Sequence, residues 1–562
     1  MNDKKNNVIL EEYENEFSYK KSKTNLNIEF NRIAFIFFVF FVISIIYSIQ
    51  LLHLGSLKKE VNNTKQLITK KNYRADIIDR NGNYLVKTVS SIDIGINPIE
   101  VIDKKKLLIN LRLMFPNKNY MEISKKLEKN KYFYLEKKIT ADNYEKIMML
   151  GDKSIKSEEK LTRIYPQENL FSHIIGQIDD NNNGISGLEK SFDERLKQIK
   201  EPLRLTVDVD IQFLIREELL RYQKIFDAKG SAAILMNVNN GEILSMVSLP
   251  DFNLNKRETI KDVNYINRIT KGTYELGSVF KTFTVASGIN EGLIEPDTEF
   301  LDSKKSISCG KNYNIEEYDN KMPSDLTVEQ ILIKSGNIGS VRIVRKVGID
   351  KHKSFLKTIG ILDKIDFDIS EVGKPQSIDW HEGCKLETIA FGHGITTTIL
   401  QLAKGYSIIS NGGYDIKPTL IKKYLKKENK RKKVLKNDVS KKMNLMLRKV
   451  VSEGTAKQVN VKGYQVGGKT GTAEQVANSV YSNIKINTIA SIFPTENPRY
   501  VLVVMLESTK NNKEYVYEYR DGSGFKLKGS PRNTAGWTSV EAAGQIIDKI
   551  GPILATKYIE VN

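Results

Sequence analysis

Ile33 to Leu52 reads IAFIFFVFFVISIIYSIQLL, twenty residues without a charge, interrupted only by Ser44, Tyr47, Ser48 and Gln50. At 1.5 Å per residue such a helix is about 30 Å long, the hydrocarbon thickness of a bilayer. Residues 53–72 are polar and Lys-rich, and from Arg74 the text RADIIDRNGNYLVKT carries an alternating apolar run broken by Asn81-Gly82, a hairpin signal. Between about 100 and 160 the pattern predicts charged helices (KKLLINLRLMF, YMEISKKLEKN). Near Leu203 the text changes again. LRLTVDVDIQFLIREELLRYQKIF passes from period two to a helical period at Asp210, and GSAAILMNV and EILSMVSLP flank the turn Asn239-Asn240-Gly241. A second hairpin, NTIASIF and RYVLVVMLES around PTENP, lies far downstream, followed by the helical TAGWTSVEAAGQIIDKIGPIL. Hairpins at both ends with helical text between them predict an antiparallel sheet closed by the two termini of the domain, with helices packed on it, hence an α+β fold.

The expected organisation is a tail over 1–32, a transmembrane helix over 33–52, a mixed α/β module over 53–202 and a larger body over 203–562. A cleaved signal peptide is disfavoured: 32 residues precede the span and no small-x-small pattern follows Leu52. Orientation is not readable from charge, because Lys20, Lys21, Lys23 and Arg32 are balanced by Lys58, Lys59, Lys65, Lys70 and Lys71.

Composition narrows the chemistry. The 87 Lys and Arg exceed the 68 Asp and Glu by 19, which suggests nucleic acid, an acidic membrane surface or an anionic polymer as partner. Nucleic acid drops out if the body lies outside the cytoplasm. Two cysteines and five histidines exclude a disulfide-built fold and a Cys-rich metal site. His53, His173, His352, His381 and His393 are scattered, so no metal and no cofactor is expected. Eleven of the basic residues fall between Lys422 and Lys442 against Glu428 and Asp438; a solvated loop or hairpin is expected there, with an anionic polymer or lipid headgroup contact as the sharper alternative. Trp380 and Trp537 are expected as core or cleft aromatics, with the core favoured. Cys309 and Cys384 can pair in an oxidising compartment, but free thiols are the expectation.

Three motifs lie inside the second body: Gly277-Ser278-Val279-Phe280-Lys281, Ser335-Gly336-Asn337 and Lys469-Thr470-Gly471-Thr472. S-x-x-K alone means little here, since Ser18, Ser56, Ser157, Ser308, Ser354, Ser482 and Ser523 also have Lys three residues on. Ser278 differs in its context, a preceding glycine and a following apolar helical run, and in the order of the three motifs. Residues 278 and 281 fall on one face of a helix, so the amine can reach the hydroxyl. A lysine removes that proton only if burial or charge lowers its pKa. The helix N-terminus offers free N–H groups to a developing oxyanion. Ser335 and Asn337 can aim into the same cleft from a loop, and Lys469 and Thr470, on a glycine-flanked strand, can meet a carboxylate. The set reads as a serine acyl-transfer site for a substrate with an anionic terminus.

In these motifs the sequence resembles the penicillin-binding proteins and serine β-lactamases. RADIIDRNG, RIYPQENLFSHIIGQID, GISGLEKSFDERL, NGEILSMVSLPDFNLN and FGHGITTTILQLAKGYSIISNGG extend the likeness to the membrane-anchored class B transpeptidases, over about residues 30–555. YELGSVFK, SIFPTENPRYVLVVMLE and TAGWTSVEAAGQII are most similar to FtsI-like division enzymes, particularly alphaproteobacterial forms. The resemblance implies a pedestal (dimerisation-like) domain and a penicillin-binding transpeptidase domain of serine β-lactamase-like fold, in the periplasm of a single-pass inner-membrane protein. It implies Ser278 as nucleophile on the penultimate D-alanine of a peptidoglycan stem peptide and Lys281 as its base. Ser335 would relay a proton, Asn337 orient the peptide and Lys469 supply charge at the relay. Thr470, Gly471 and Thr472 would bind the terminal carboxylate, with the N–H groups of Ser278 and Thr472 as oxyanion hole. β-Lactams, the membrane and divisome proteins including a FtsW-like glycan polymerase are the implied partners, and the septum the implied site. An elongation-type enzyme and a non-enzymatic β-lactam sensor or scaffold are the alternatives. Leu276, Gly336 and Ala75 depart from the common Pro, Ser and Gly of the family.

Overall fold

The computed structural model describes residues 26–56, 73–256, 262–310, 313–423, 431–477 and 480–558. The chain divides into two units, Met1–Lys71 and Asn72–Asn562. The first holds helix α1 (Leu26–Ser56), whose stretch Ala34–His53 has mean hydropathy 2.6, is unburied, and is long and apolar enough to cross a membrane.

The second unit opens on the hairpin foreseen around Asn81-Gly82, from β1 (Ile77–Ile78) into the long β2 (Tyr84–Ile96). Helices α2 (Lys104–Met114) and α3 (Tyr120–Glu128) follow. Then come β3 (Phe133–Ile139), α4 (Ala141–Met148) and β4 (Ile155–Ile164), with β3 and β4 pairing antiparallel on β2. The helical reading of 100–160 is corrected here: two strands interleave with its helices. Strand β4 buries Ile155, Thr162 and Arg163 but keeps its charged middle, Lys156 to Lys160, in solvent, so it shows neither strand alternation nor a helical stripe. Leu107, Leu111, Ile123, Leu127, Ile94 and Ile147 form a small core of their own in this part.

Nearer the larger body, segments far apart in sequence are tied by buried charge. The Arg74 guanidinium, fully buried, donates Nε to Glu189 and Nη1 to Asp193 Oδ1 at 2.6 Å. Arg163 donates Nε to Glu189 Oε1 at 3.1 Å and Nη1 to the carbonyls of Arg74 and Ala75 at 3.0 and 2.7 Å. Removing one partner from such a network leaves a charge buried without compensation, which costs about 3–5 kcal/mol.

Strand β5 (Leu203–Arg204) pairs in parallel with β1. Next come α5 (Val209–Ile225), β6 (Gly230–Asn237) and β7 (Ile243–Leu249). A 3₁₀ turn over Gly277–Phe280 leads into α6 (Lys281–Asn290), and the hairpin β8 (Ser306–Cys309) and β9 (Tyr313–Glu316) precedes α7 (Val328–Lys334) and α8 (Asn337–Val347). After α9 (Ile399–Ser410) and α10 (Asn437–Ser452) the chain forms β10 (Gly467–Ala477), β11 (Val480–Phe493) and β12 (Tyr500–Glu507), and ends in α11 (Ser539–Lys557). The main sheet runs β10-β11-β12-β6-β7, antiparallel throughout, with the early hairpin joined to the late one by pairs such as Ile234↔Val503. Consecutive residues of β7 and β12 are buried almost without interruption, so both sheet faces are covered. Helices α5 and α11 pack on each other and on the sheet, and α9 packs on β6, β11 and β12.

Candidate active site

The centre forms where three backbones meet. Gly277 has φ +62°, and a Cβ there would lie 2.6 Å from the Thr472 carbonyl oxygen; a Cβ on Gly471 would lie 2.2 Å from that of Leu276. Two glycines thus let β10 close on the turn that carries Ser278. Ser278 is half-buried in that 3₁₀ turn, and Lys281, three residues on, opens α6 with no exposed surface. Leu276, at φ −108°, is fully buried in the main core.

Ser335 caps the C-terminus of α7 at φ +60°, a left-handed conformation that costs a non-glycine residue of order 1–3 kcal/mol and turns the chain straight into α8. Sequence reasoning put Ser335 and Asn337 in a loop; they instead end one helix and begin the next. Lys281 Nζ donates to the Ser335 carbonyl at 2.6 Å, to Ser335 Oγ at 3.3 Å and to Asn337 Oδ1 at 2.7 Å. Lys469, also fully buried, donates Nζ to Ser335 Oγ at 2.8 Å. The hydroxyl of Ser335 therefore lies between two buried amines. Burial pushes the Lys281 amine down to about 7, opposed by the negative charge of Glu317. Burial, and then the Lys281 charge, hold Lys469 well below the usual lysine range. Burial likewise lowers His393, at the rim, to about 4.

These groups border a cleft of about 1050 Å³ lined by Ser278, Ser335, Asn337, Thr470 and Thr472, with Tyr313, Tyr318, Phe391, Tyr519 and Trp537 as aromatic walls. Thr472 Oγ1 accepts the Ala535 N–H at 2.9 Å, and Thr470 Oγ1 lies 2.7 Å from Thr455 Oγ1. Every site residue singled out from sequence is brought to this centre, with Lys281 and Lys469 behind its wall and Gly471 at the close backbone approach. Sequence reasoning missed Thr455, Arg532 and Glu317, which join the centre only through tertiary contacts. Trp537 takes the less favoured of its two expected places, a half-buried wall of the cleft, whereas Trp380 takes the favoured one and is buried.

The expectation of free thiols is overturned. Cys309 and Cys384 form a disulfide, Cα atoms 5.6 Å apart, tying β8 to the chain before Phe391. It belongs to a small core with Ile315, Ile338, Val341 and Phe391, directly behind the start of α8. Of the basic run, 424–430 lies outside the described residues; Lys422 pairs with Glu242, Lys442 with Asp438 and Glu295, and Arg431 donates to the Asn239 carbonyl at 2.6 Å. The run's last residues belong to α10 rather than to a loop.

Residues 231–521, more than half of the chain, match the family described as penicillin binding protein transpeptidase domain. The chain belongs to the penicillin-binding transpeptidases. Residues 69–218 match the penicillin-binding protein dimerisation domain, and a dimerisation module ahead of a transpeptidase makes it a class B, FtsI-like member. It is similar to the probable peptidoglycan D,D-transpeptidase FtsI of Caulobacter vibrioides, 28% identical over 501 residues, covering 86% of this chain and 82% of that protein. The stage V sporulation protein D of Bacillus subtilis is 27% identical over 495 residues, 79% of this chain and 75% of that one. The apo crystal structure of penicillin binding protein 3 from Mycobacterium tuberculosis shares the fold, with TM-score 0.64, 20% identity and coverage of 88% and 98% of the two chains.

Proposed function

We propose that this transpeptidase cross-links peptidoglycan stem peptides during septal wall synthesis, through an acyl-enzyme on Ser278. The observation that carries the reading is Lys281, three residues after Ser278, fully buried with its pKa pushed down, and sharing Ser335 Oγ with Lys469. Neutral Lys281 takes the Ser278 hydroxyl proton as Oγ bonds to the penultimate D-alanine carbonyl. The carbonyl oxygen becomes an oxyanion held by the N–H groups of Ser278 and Thr472. When the C–N bond breaks, the proton passes from Lys281 through Ser335 to the departing D-alanine amine, with Lys469 stabilising that path. Asn337 orients the peptide. Thr470 and Thr472, at the close approach set by Gly471, hold the terminal carboxylate; the Thr472 hydroxyl accepts from Ala535 and so keeps its own proton to donate. An amine of a neighbouring stem peptide then attacks the ester carbonyl; the C–Oγ bond breaks as a proton from that amine passes to Ser278 Oγ, which restores the hydroxyl.

A tail over 1–32, an anchor over 33–52, a pedestal over 53–202 and a catalytic domain over 203–562 in the periplasm suit this role, with divisome partners including a FtsW-like polymerase. The likeness to relatives named FtsI supports division. Labelling with a fluorescent penicillin tests the site: Ser278→Ala is expected to abolish it in a folded protein, and undiminished labelling overturns the assignment. Depletion in cells tests the machine: filaments are expected, and rounded, swollen cells would assign the chain to elongation.

A further inference from the structure

Helix α8 begins at the centre of the site, yet its N-cap is Gly336, which has no side chain to satisfy the first free N–H groups. Those groups are satisfied from elsewhere. The Asn337 N–H donates to Glu317 Oε2 at 2.8 Å and the Ile338 N–H to Glu317 Oε1 at 2.9 Å, so one carboxylate spans the helix terminus with both oxygens. Glu317 immediately follows β9, and the preceding Glu316 carbonyl accepts Asn337 Nδ2 at 2.9 Å. The other end of that amide, Oδ1, accepts Lys281 Nζ at 2.7 Å. Main chain and side chain of Asn337 are therefore both fixed by the Glu316-Glu317 pair, and Asn337 in turn holds Lys281.

We propose that Glu317 is a positioning residue of the acyl-transfer centre, whose carboxylate anchors the N-terminus of α8 and through Asn337 sets where the Lys281 amine lies. The proposal rests on the roles given above to Ser278 and Lys281. A carboxylate suits the place twice over: it makes charge-assisted bonds to N–H donors, and it meets the positive end of the helix dipole. Its charge also acts on the base. Among the described residues, the groups bearing on Lys281 are the bases Lys469 and His393 and the acid Glu317, whose charge raises the Lys281 pKa against burial. Gly336 fits the same arrangement. A Cβ there meets nothing closer than Glu317 Oε1 at 3.5 Å, and the backbone has the extended conformation of a capping residue, so a serine has room to cap the helix from within.

The test is the second-order rate of acylation by a fluorescent penicillin, measured against pH on the full chain in detergent, with thermal midpoints alongside. Glu317→Ala is expected to slow acylation at least tenfold at the alkaline plateau and to move the rate midpoint to lower pH. Glu317→Gln keeps an acceptor for one of the two N–H groups, so a smaller plateau loss with the same downward midpoint shift is expected. Adding Gly336→Ser to Glu317→Ala should recover at least threefold of the plateau rate and leave the midpoint low, because a hydroxyl caps without charge. Wild-type plateau and midpoint in the Gln variant overturn the proposal, also where the Ala variant does not fold. A plateau loss in the Ala variant that the added serine leaves untouched overturns the capping role. Labelling that survives Ser278→Ala sinks the underlying site assignment instead, whatever the Glu317 variants do.

Discussion

Lysine is a poor base at neutral pH until its ammonium is made costly, and here that cost comes from burial. With the Lys281 pKa lowered to about 7, the neutral fraction falls about tenfold per pH unit below that value. Acylation by penicillin is therefore expected to rise with pH to a plateau above a midpoint near 7, and a rate that is flat from pH 5 to 9 would remove Lys281 as base. Lys281→Ala should lower the plateau by about 10²–10⁴-fold, the usual contribution of a positioned base. The same depression has a stability consequence. Between about 7 and the ordinary value of 10.5, the unfolded chain carries a proton on this lysine that the folded chain lacks, so its contribution to stability rises with pH across that window and is lost as pH falls toward 7. Lys469 adds in the same direction. At this scale the sequence was informative: the S-x-x-K, S-x-N and K-T-G spacings are local, and each delivered its side chain to one centre. Glu317 and Thr455 were silent because nothing in their own neighbourhood distinguishes a carboxylate that caps a distant helix, or a hydroxyl paired with Thr470, from any surface acid or alcohol.

At the scale of elements, the site is held together by two close approaches, β10 against the Ser278 turn and the β8–β9 hairpin against α8. Gly471→Ala would push its Cβ into the Leu276 carbonyl and spread the first pair. Misplacing a catalytic group by about 1 Å can cost roughly 10²-fold, so acylation is expected to fall by about that factor while circular dichroism stays native; an unchanged rate would show that the approach is not needed. The second pair is backed by the Cys309–Cys384 disulfide, which ties β8 to the chain before Phe391, packs with Ile338 and Val341 of α8, and closes a loop over a sequence separation of 75. Replacing both cysteines by serine should cost about 2–4 kcal/mol, the usual range for such a crosslink, and speed hydrogen exchange in the hairpin and the start of α8 above that elsewhere. Two cysteines 75 residues apart carry no local signal of their spacing, and so the pairing was not legible. The sheet was legible for the opposite reason: its central strands are buried on both faces and read as apolar runs bounded by turn residues. Strands β3 and β4, with charged residues turned to solvent, lacked that signature.

Across the whole of the second unit, the boundary drawn from sequence near Leu203 falls inside one packed region. Leu203 and Arg204 pair with Ile77 and Ile78, and Asn81 Nδ2 donates to Asp208 Oδ2 at 2.9 Å. Asp79 Oδ2 accepts the Val209 N–H at 3.2 Å at the start of α5. Ala75, Ile77, Val86, Phe171, Ile174 and Leu188 share a single buried core with the transpeptidase strands, whereas the three-stranded part around Ile94 and Leu111 has its own. A cut at 202/203 would expose apolar faces on both pieces and leave the Asp79 and Asp208 carboxylates without their cross-boundary partners. Exposing that much apolar surface costs about 25 cal/mol per Å² and favours aggregation. The fragment 203–562 is therefore expected to be insoluble or to lose penicillin labelling. A fragment from residue 73 onward, which keeps the core whole and omits α1, is expected to stay soluble and label at the full-chain rate. If 203–562 alone folds and labels at that rate, the early segments are a separable pedestal and the shared core contributes little to the catalytic domain.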